Sequence, residues 1–230
     1  MKQCLPLFVS VTLTLVLEAA ESDSPAKRLA PFFNPPAEFA GQLGSYRSPL
    51  LFNDGSRVKS AADWPRRRAE ILVQWHSLMG AWPPVLEKPK LEYLAQSKRD
   101  NFTQHRVRVE LAPGVSGEAW LLIPDGQGPF PAVLVPFYEP ETSIGLGKNP
   151  GRVFAAQLSR RGFVTLSIWS PGGDARTPDP GRAGWHPLSF LGYIGANGWH
   201  ALANLHQVDA KRIGVAGHSY GGKWAMFASC

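Results

Sequence analysis

The sequence is poor in cysteine and has only one long apolar run. Of its 230 residues two are cysteines, Cys4 and Cys230. The apolar run covers residues 5–17, which is too short to span a bilayer comfortably. A lysine precedes it and small residues follow it, so we interpret residues 1–22 as a secretory signal peptide; an N-terminal membrane anchor is the alternative. Removal of residues 1–22 leaves Cys230 alone, which excludes a disulfide within the 230 residues; pairing of Cys230 with a cysteine beyond them is the alternative.

The charge pattern lacks the features of a nucleic-acid-binding protein. The net charge is +6 and the pI about 9.5, but no basic stripe is interleaved with stacking aromatic residues. The densest basic cluster, Arg66-Arg67-Arg68, opens a predicted helix. The histidines show no metal-ligand spacing such as H-E-x-x-H. We therefore expect a secreted or periplasmic protein with no nucleic-acid partner, no metal or other cofactor, and no stable membrane association once the signal peptide is removed.

Residues 23–101 are predicted to form an N-terminal arm and one amphipathic helix. Up to Ala62 the chain is rich in proline, glycine and aromatic residues without lasting periodicity. We interpret it as an extended arm that packs over the main body. From Asp63 to Gly80 the apolar residues recur at helical spacing, which predicts a helix with one apolar face. The residues concerned are the predicted packing anchors of the arm, Phe32, Phe33, Phe39, Tyr46 and Phe52, and the helical positions Ile71, Leu72, Trp75, Leu78 and Met79.

Residues 102–230 follow a different pattern and predict an α/β fold. Two alternating segments flank a glycine-containing turn and indicate an antiparallel hairpin. After it, buried strands alternate with helices, which implies right-handed crossovers and a parallel sheet with helices on both faces. The predicted hairpin strands are Phe102–Leu111 and Glu118–Ile123; the later strands are 131–137, 163–169 and 212–217, with helices from Asn149 to near Gly162 and around residues 188–205.

The motif with the clearest chemical meaning is Gly217-His218-Ser219-Tyr220-Gly221, a G-x-S-x-G sequence between an apolar strand and a predicted helix. A sharp strand-to-helix turn of this kind, a nucleophile elbow, exposes the serine hydroxyl at the carboxyl end of a sheet. The Tyr220 backbone N–H then lies at the helix start, where it can stabilise a developing oxyanion. The alternative is a glycine-rich turn with a capping serine.

The hairpin, the parallel sheet and the position of the motif together resemble the α/β-hydrolase fold over roughly residues 102–230. Ser219, Gly222 and Lys223 fit the G-x-S-x-x-G-K pattern of secreted carbohydrate esterases, including glucuronoyl-esterase-like proteins. That esterase family usually has arginine directly after the serine. Here Tyr220 stands at that position, as is more familiar in acetylxylan-esterase, dienelactone-hydrolase and prolyl-oligopeptidase-like proteins.

The resemblance implies a secreted serine hydrolase of carbohydrate-linked carboxylic esters, acting on a small-molecule or polysaccharide ester through an acyl-enzyme. Ser219 would be the nucleophile and Tyr220 one oxyanion donor. The second donor would be the backbone N–H of Phe137 or Tyr138, whose alternative role is packing against the elbow. Lys223 would contact substrate or pair with an acid on a neighbouring element.

Only eleven residues follow Ser219, and they include no aspartate, glutamate or histidine. In the α/β-hydrolase fold the acid and the histidine come after the serine. We therefore expect the chain to be truncated after the elbow and to be inactive by itself, with a partial α/β-hydrolase fold. The earlier histidines would need unusual topology to serve as the base.

Three other functions compete with this interpretation. A prolyl-oligopeptidase-like peptidase shares the motif, and a non-catalytic carbohydrate-binding relative would keep the fold. A nucleotide-binding enzyme is suggested by the glycines of 145–151, but their spacing does not match G-x-G-x-x-G, and no Ser or Thr follows Lys148 as a P-loop requires.

Overall fold

The computed structural model describes residues 24–42, 44–169 and 186–229. The predicted signal peptide and Cys230 lie outside the described residues. The chain divides into two compact units, Met1–Arg57 and Val58–Cys230. The segment directly before residue 102 contributes a strand to the sheet of the second unit.

The first unit consists of short local elements in its described part. Helix α1 (Pro25–Leu29) begins at Ser24, whose hydroxyl accepts from the Lys27 N–H at 3.3 Å. Two 3-10 turns follow, Ala30–Phe33 and Ala37–Phe39. Among the predicted packing anchors Phe52 is buried, whereas Phe32, Phe33, Phe39 and Tyr46 are 56–92% exposed. The described backbone hydrogen bonds around these residues join groups only a few positions apart in the sequence.

Helix α2 (Trp64–Met79) confirms the predicted helix from Asp63 to Gly80. The Asp63 carboxylate accepts from the Ser60 and Lys59 backbone N–H groups, and these hydrogen bonds lower the pKa of Asp63. The helix ends at Gly80, whose φ of 81° suits glycine. The apolar face is covered only in part, because Met79 is buried whereas Leu78 is 78% exposed.

One six-stranded mixed sheet forms the body of the second unit, in the order β1-β2-β3-β5-β4-β6. The first three strands form an antiparallel meander, β3 pairs antiparallel with β5, and β4 runs parallel to both β5 and β6. The predicted hairpin and the parallel arrangement are thus confirmed. The strands are β1 Leu91–Arg99, β2 Phe102–Ala112, β3 Val115–Pro124, β4 Phe130–Pro136, β5 Val164–Ile168 and β6 Val208–Val215.

Helices cover both faces of the sheet. One face packs a large apolar cluster against α5 and α6, and the other packs a smaller cluster against α4. The helices after the hairpin are α3 Pro140–Ser143, α4 Phe154–Ser159, α5 Pro187–Ala203 and α6 Tyr220–Ala228, with 3-10 turns at Ala61–Asp63 and Pro150–Arg152. Within the described ranges no helix has the length and apolar character needed to cross a bilayer.

Several elements differ from the sequence-based prediction, three of them in the sheet and its first long connection. Strand β1 was not expected, because it lies at the sheet edge and most of its side chains are exposed, so it carries no alternating apolar pattern. The helix expected from Asn149 is divided into the 3-10 turn Pro150–Arg152 and α4. Strand β6 begins at Val208, four residues earlier than expected, and its early residues are polar because they lie on the last strand of the described sheet.

Helix α5 holds the extended segment between α2 and β1. The central contact is Asn197, which is fully buried. Its side-chain oxygen accepts from the Leu86 N–H at 2.8 Å, and its amide group donates to the Leu111 carbonyl at 2.8 Å. Further bonds join Trp82 to Ser189, Tyr193 to Pro84, and Asn204 to Glu87. The segment, the helix and β2 are thereby fixed to one another.

Replacing Asn197 by alanine should destabilise the fold strongly. The change leaves the buried Leu111 carbonyl and the partly buried Leu86 N–H without the partner they share, so we expect a loss of about 2–4 kcal/mol in the free energy of unfolding. Urea denaturation monitored by tryptophan fluorescence measures it. Asn204→Ala is the matched control, because Asn204 is exposed and bonds a carbonyl that water can reach; its loss should stay below about 1 kcal/mol. Equal losses in the two variants would contradict the assignment.

A second prediction concerns His105 on β2, whose ring lies edge-on to Tyr93 with centroids 5.1 Å apart. Burial lowers the pKa of His105 from its ordinary value of 6.5. The unfolded chain therefore takes up this proton first, and the contribution of His105 to stability is lost as the pH falls through and below 6.5. We expect an NMR titration midpoint below 6.5 for the His105 ring. His105→Gln should weaken the fall in stability between about pH 7 and 5; an unchanged fall would contradict this.

Candidate active site

Ser219 lies in a strained turn between β6 and α6. Its φ and ψ are 55° and −121°, and it is the one non-glycine residue of the described chain with a positive φ. Such a conformation costs of order 1–3 kcal/mol and persists only where the surrounding structure enforces it. The side chain is exposed. The sequence-predicted strand, turn and helix are therefore present, and the turn presents the serine to solvent.

Two glycines allow the turn because backbone segments approach each other there. A Cβ on Gly217 would overlap the Gly221 carbonyl oxygen. A Cβ on Gly221 would lie 2.5 Å from the Pro136 carbonyl oxygen and 3.0 Å from the Phe137 ring. The first turn of α6 therefore rests directly on the end of β4. This contact places the serine turn and the β4 loop at the same edge of the sheet.

Helix α6 begins immediately after the serine. The Ser219 carbonyl accepts from the Gly222 N–H at 3.0 Å and the Lys223 N–H at 3.2 Å, so Ser219 is the first residue tied into the helix. The Tyr220 N–H belongs to the first turn, where the backbone dipoles favour negative charge. Its position fits the predicted oxyanion donor.

The loop after β4 contains the two candidates for the second donor, and their N–H groups differ. The Phe137 N–H donates to the Ile168 carbonyl at 2.9 Å and thus continues the ladder between β4 and β5. The Tyr138 N–H has no acceptor among the residues that the structure describes. The ring of Phe137 is fully buried and packs on Tyr138, with centroids 4.4 Å apart, and faces the His218 ring edge-on at 6.4 Å. Phe137 therefore packs beneath the elbow.

Close packing against α5 fixes the position of α6. A Cβ on Gly192 would lie 2.9 Å from the Phe227 carbonyl oxygen, and one on Gly195 would lie 2.6 Å from the Ala228 Cβ. Trp224 is fully buried and its indole N–H donates to the Leu191 carbonyl. These contacts orient the helix whose first turn follows the serine.

Lys223 is exposed one turn into α6. Its ammonium nitrogen lies 5.4 Å from the centroid of the Tyr220 ring, within the range of a cation–π contact. No carboxylate of the described ranges forms an ion pair with it. The predicted alternative, a pair with a neighbouring acid, is therefore not seen there.

Sequence reasoning missed Arg152, which lies beside the elbow. Its guanidinium donates to the Tyr138 hydroxyl at 2.9 Å. Arg152 also lines a cavity of about 600 Å³ together with Gly217 and His218. The sequence offered no signal for it, because a single arginine in a turn fits a solvated surface equally well.

Three histidines, His105, His186 and His200, have local roles away from the elbow. His186 caps α5 by accepting from the Leu188 N–H at 3.2 Å. His105 packs on Tyr93, and the His200 ring lies 5.0 Å from that of Trp199. No group of three or more metal-ligating side chains gathers in the part of the chain that the structure covers.

Solved carbohydrate esterases share this fold. A glucuronoyl esterase from Solibacter usitatus aligns with a TM-score of 0.64 at 17% identity, over 82% of this chain and 62% of that protein. A putative acetyl xylan esterase from Bacteroides fragilis gives 0.61 at 16% identity, over 83% and 55%. A glucuronoyl esterase from Teredinibacter turnerae gives 0.60 at 20% identity, over 90% and 57%. No protein-family model and no curated protein matches the sequence.

These likenesses confirm the expected partial α/β-hydrolase fold, which the chain shares with solved carbohydrate esterases. The chain spans 55–62% of the length of the three structures. At identities of 16–20% the likeness concerns the fold, and the chemistry has to be argued from the residues of this chain.

The contact between α6 and β4 predicts that Gly221→Ala is poorly tolerated. The added methyl group would meet the Pro136 carbonyl oxygen at 2.5 Å, so helix and strand would have to separate. We expect a loss of about 1–3 kcal/mol in the free energy of unfolding, measured by urea denaturation. Gly214→Ala in β6 is the control, because nothing lies within 4 Å of its Cβ position. A Gly221→Ala variant as stable as the control would refute the close approach.

Proposed function

We propose that this chain carries the nucleophile and the oxyanion donors of a serine esterase that hydrolyses carbohydrate-linked carboxylic esters. The observation that supports it most is the strained, exposed Ser219 at the junction of β6 and α6. A merely capping serine needs no positive φ, since N-cap residues ordinarily adopt extended backbone. The cost of this conformation is accounted for if the hydroxyl must project from the sheet edge toward a substrate.

The reaction proceeds in two displacements. The Ser219 Oγ bonds to the ester carbonyl carbon while its proton passes to a general base, and the base returns that proton to the departing alcohol oxygen. The acyl group remains on Oγ. Water then attacks the same carbon, its proton takes the route through the base to Oγ, and the carboxylic acid is released. No oxidant or cofactor takes part in this sequence.

Negative charge develops on the carbonyl oxygen in both displacements. We assign the Tyr220 N–H, in the first turn of α6, as one donor to it, and a backbone N–H of the loop after β4 as the other. Such donors act without reorganisation because the peptide groups are held by the fold, and removal of one typically lowers the rate by about 10²- to 10³-fold. Lys223, which has no described carboxylate partner, is proposed to contact the hydroxyl groups of the sugar.

The assignment of the substrate rests on the fold neighbours. They are named glucuronoyl esterases and a putative acetyl xylan esterase, and both names denote hydrolysis of esters of carbohydrates. A secreted location agrees with such a substrate, since plant and microbial polysaccharides lie outside the cell. Among the described residues we assign no general base, because His105, His186 and His200 serve other elements and the His218 ring packs edge-on against Phe137.

The test is hydrolysis of p-nitrophenyl acetate and of acetylated or uronate-ester sugars by the protein expressed from the complete gene. Ser219→Ala should lower kcat by at least about 10³-fold, because the nucleophile of a serine hydrolase acts together with its base. Ser229→Ala, at the residue that directly follows the same helix, is the matched control; among the described residues its hydroxyl donates to the Met226 carbonyl alone, and activity should be unchanged.

Labelling with a fluorophosphonate separates the competing functions. A reactive Ser219 forms a covalent adduct, whereas a non-catalytic carbohydrate-binding relative leaves the probe unreacted. Cleavage of a prolyl peptide anilide in preference to the sugar esters would favour the peptidase. Turnover that persists in Ser219→Ala would refute the proposal.

A further inference from the structure

We propose that the second oxyanion donor is the Tyr138 N–H and that Arg152 is the positioning residue that holds it. This inference rests on the proposed function. It concerns a contact between two residues fourteen positions apart, the Arg152 guanidinium and the Tyr138 hydroxyl, which are 2.9 Å apart. Neither the sequence pattern nor the fold neighbours assign a role to Arg152.

The backbone N–H groups of Phe137 and Tyr138 differ in their hydrogen bonding. Parallel pairing of β4 with β5 ends at Pro136 opposite Ile168, and the Phe137 N–H donates to the Ile168 carbonyl. That N–H is therefore committed to the ladder. The Tyr138 N–H is the first beyond the ladder, and no described residue accepts from it. A donor that must meet a transient oxyanion has to be free in the resting protein.

The Tyr138 N–H lies close in the chain to residues that contact the first turn of α6. The Cβ position of Gly221 lies 2.5 Å from the Pro136 carbonyl oxygen and 3.0 Å from the Phe137 ring. The first turn of α6 therefore contacts the residues directly before Tyr138. This brings the Tyr138 and Tyr220 amides to one edge of the sheet, on either side of the elbow.

Two contacts restrain the Tyr138 side chain. Its ring stacks on the buried Phe137 ring at 4.4 Å, and its hydroxyl accepts from Arg152. Arg152 is half-buried in the 3-10 turn that the Asn149 side chain caps, and it forms no ion pair with a described carboxylate. The ring is thus held on its face and at its tip. Because the side chain is fixed to both, the peptide group that carries the Tyr138 N–H is restrained as well.

Hydrogen bonds that do not involve Arg152 hold the rest of the loop after β4. The Thr142 hydroxyl donates to the Glu139 carboxylate at 3.0 Å, the Trp120 indole donates to Glu141 at 3.2 Å, and the Ser143 hydroxyl lies 2.6 Å from that of Ser167. These contacts anchor the loop downstream of Tyr138. Loss of the Arg152 contact should therefore loosen Tyr138 alone and leave the fold intact.

The experiment compares Arg152→Met and Tyr138→Phe in the protein expressed from the complete gene. Each removes the same hydrogen bond and retains most of the packing volume. We expect each to lower kcat about tenfold with KM changed less than about twofold, because a displaced donor is lost in the transition state more than in the ground state. The double variant should also show about a tenfold loss, since both changes remove one interaction. Arg152→Lys, which keeps a donor, should recover part of kcat.

Arg161→Met is the matched control. Arg161 lines the same cavity as Arg152, but its guanidinium donates only to Gln157 among the described residues, so kcat should be unchanged. Multiplicative losses in the double variant, a rise in KM at constant kcat, or an equal loss in Arg161→Met would overturn the proposal. Its failure is distinct from that of the proposed function: in the one case Ser219→Ala is inactive and the Arg152 variants are normal, and in the other Ser219→Ala retains activity.

Discussion

The contact between the first turn of α6 and the ends of β4 and β6 determines the site. Backbone meets backbone there, at Gly217 against Gly221 and at Gly221 against Pro136. Because interiors are close-packed, a shift of the helix by the width of a methyl group would move the serine turn away from the β4 loop. The strained φ of Ser219 persists since both flanking elements are fixed, the strand by its ladder and the helix by its packing on α5.

The hydrogen bonds between β4 and β5 also determine which N–H group of the following loop is already bonded within the protein. Parallel strands β4 and β5 form hydrogen bonds up to the Phe137 N–H, so this group stabilises the sheet. One residue later the chain leaves the sheet, and the Tyr138 hydroxyl contacts Arg152 in the 3-10 turn Pro150–Arg152. The end of the regular hydrogen-bond pattern thus coincides with the beginning of the site. The last N–H group of the sheet, that of Phe137, directly precedes the proposed oxyanion donor, the Tyr138 N–H.

Much of the fold could be predicted, because buried strands and helices leave periodic apolar patterns. The hairpin β2–β3, the central strands and α5 follow this rule. Strand β1 could not be predicted, since an edge strand with exposed side chains lacks such a pattern. The serine motif was evident from local spacing, whereas the contact of Arg152 with Tyr138 depends on the tertiary arrangement of a loop and a turn. The sequence therefore indicated the candidate nucleophile but not the Arg152 contact that restrains Tyr138.

The cations at the site share one feature that bears on its chemistry. Several arginines of the second unit are paired with carboxylates, such as Arg108 with Glu92 and Arg160 with Asp100. Arg152 and Lys223 instead contact Tyr138 and Tyr220, the two residues proposed to carry the oxyanion donors. A cation held by a neutral tyrosine keeps its full charge, whereas one paired with a carboxylate is largely neutralised. Both cations are therefore held by the side chains of the two residues proposed to carry the oxyanion donors, and no described carboxylate offsets their charge.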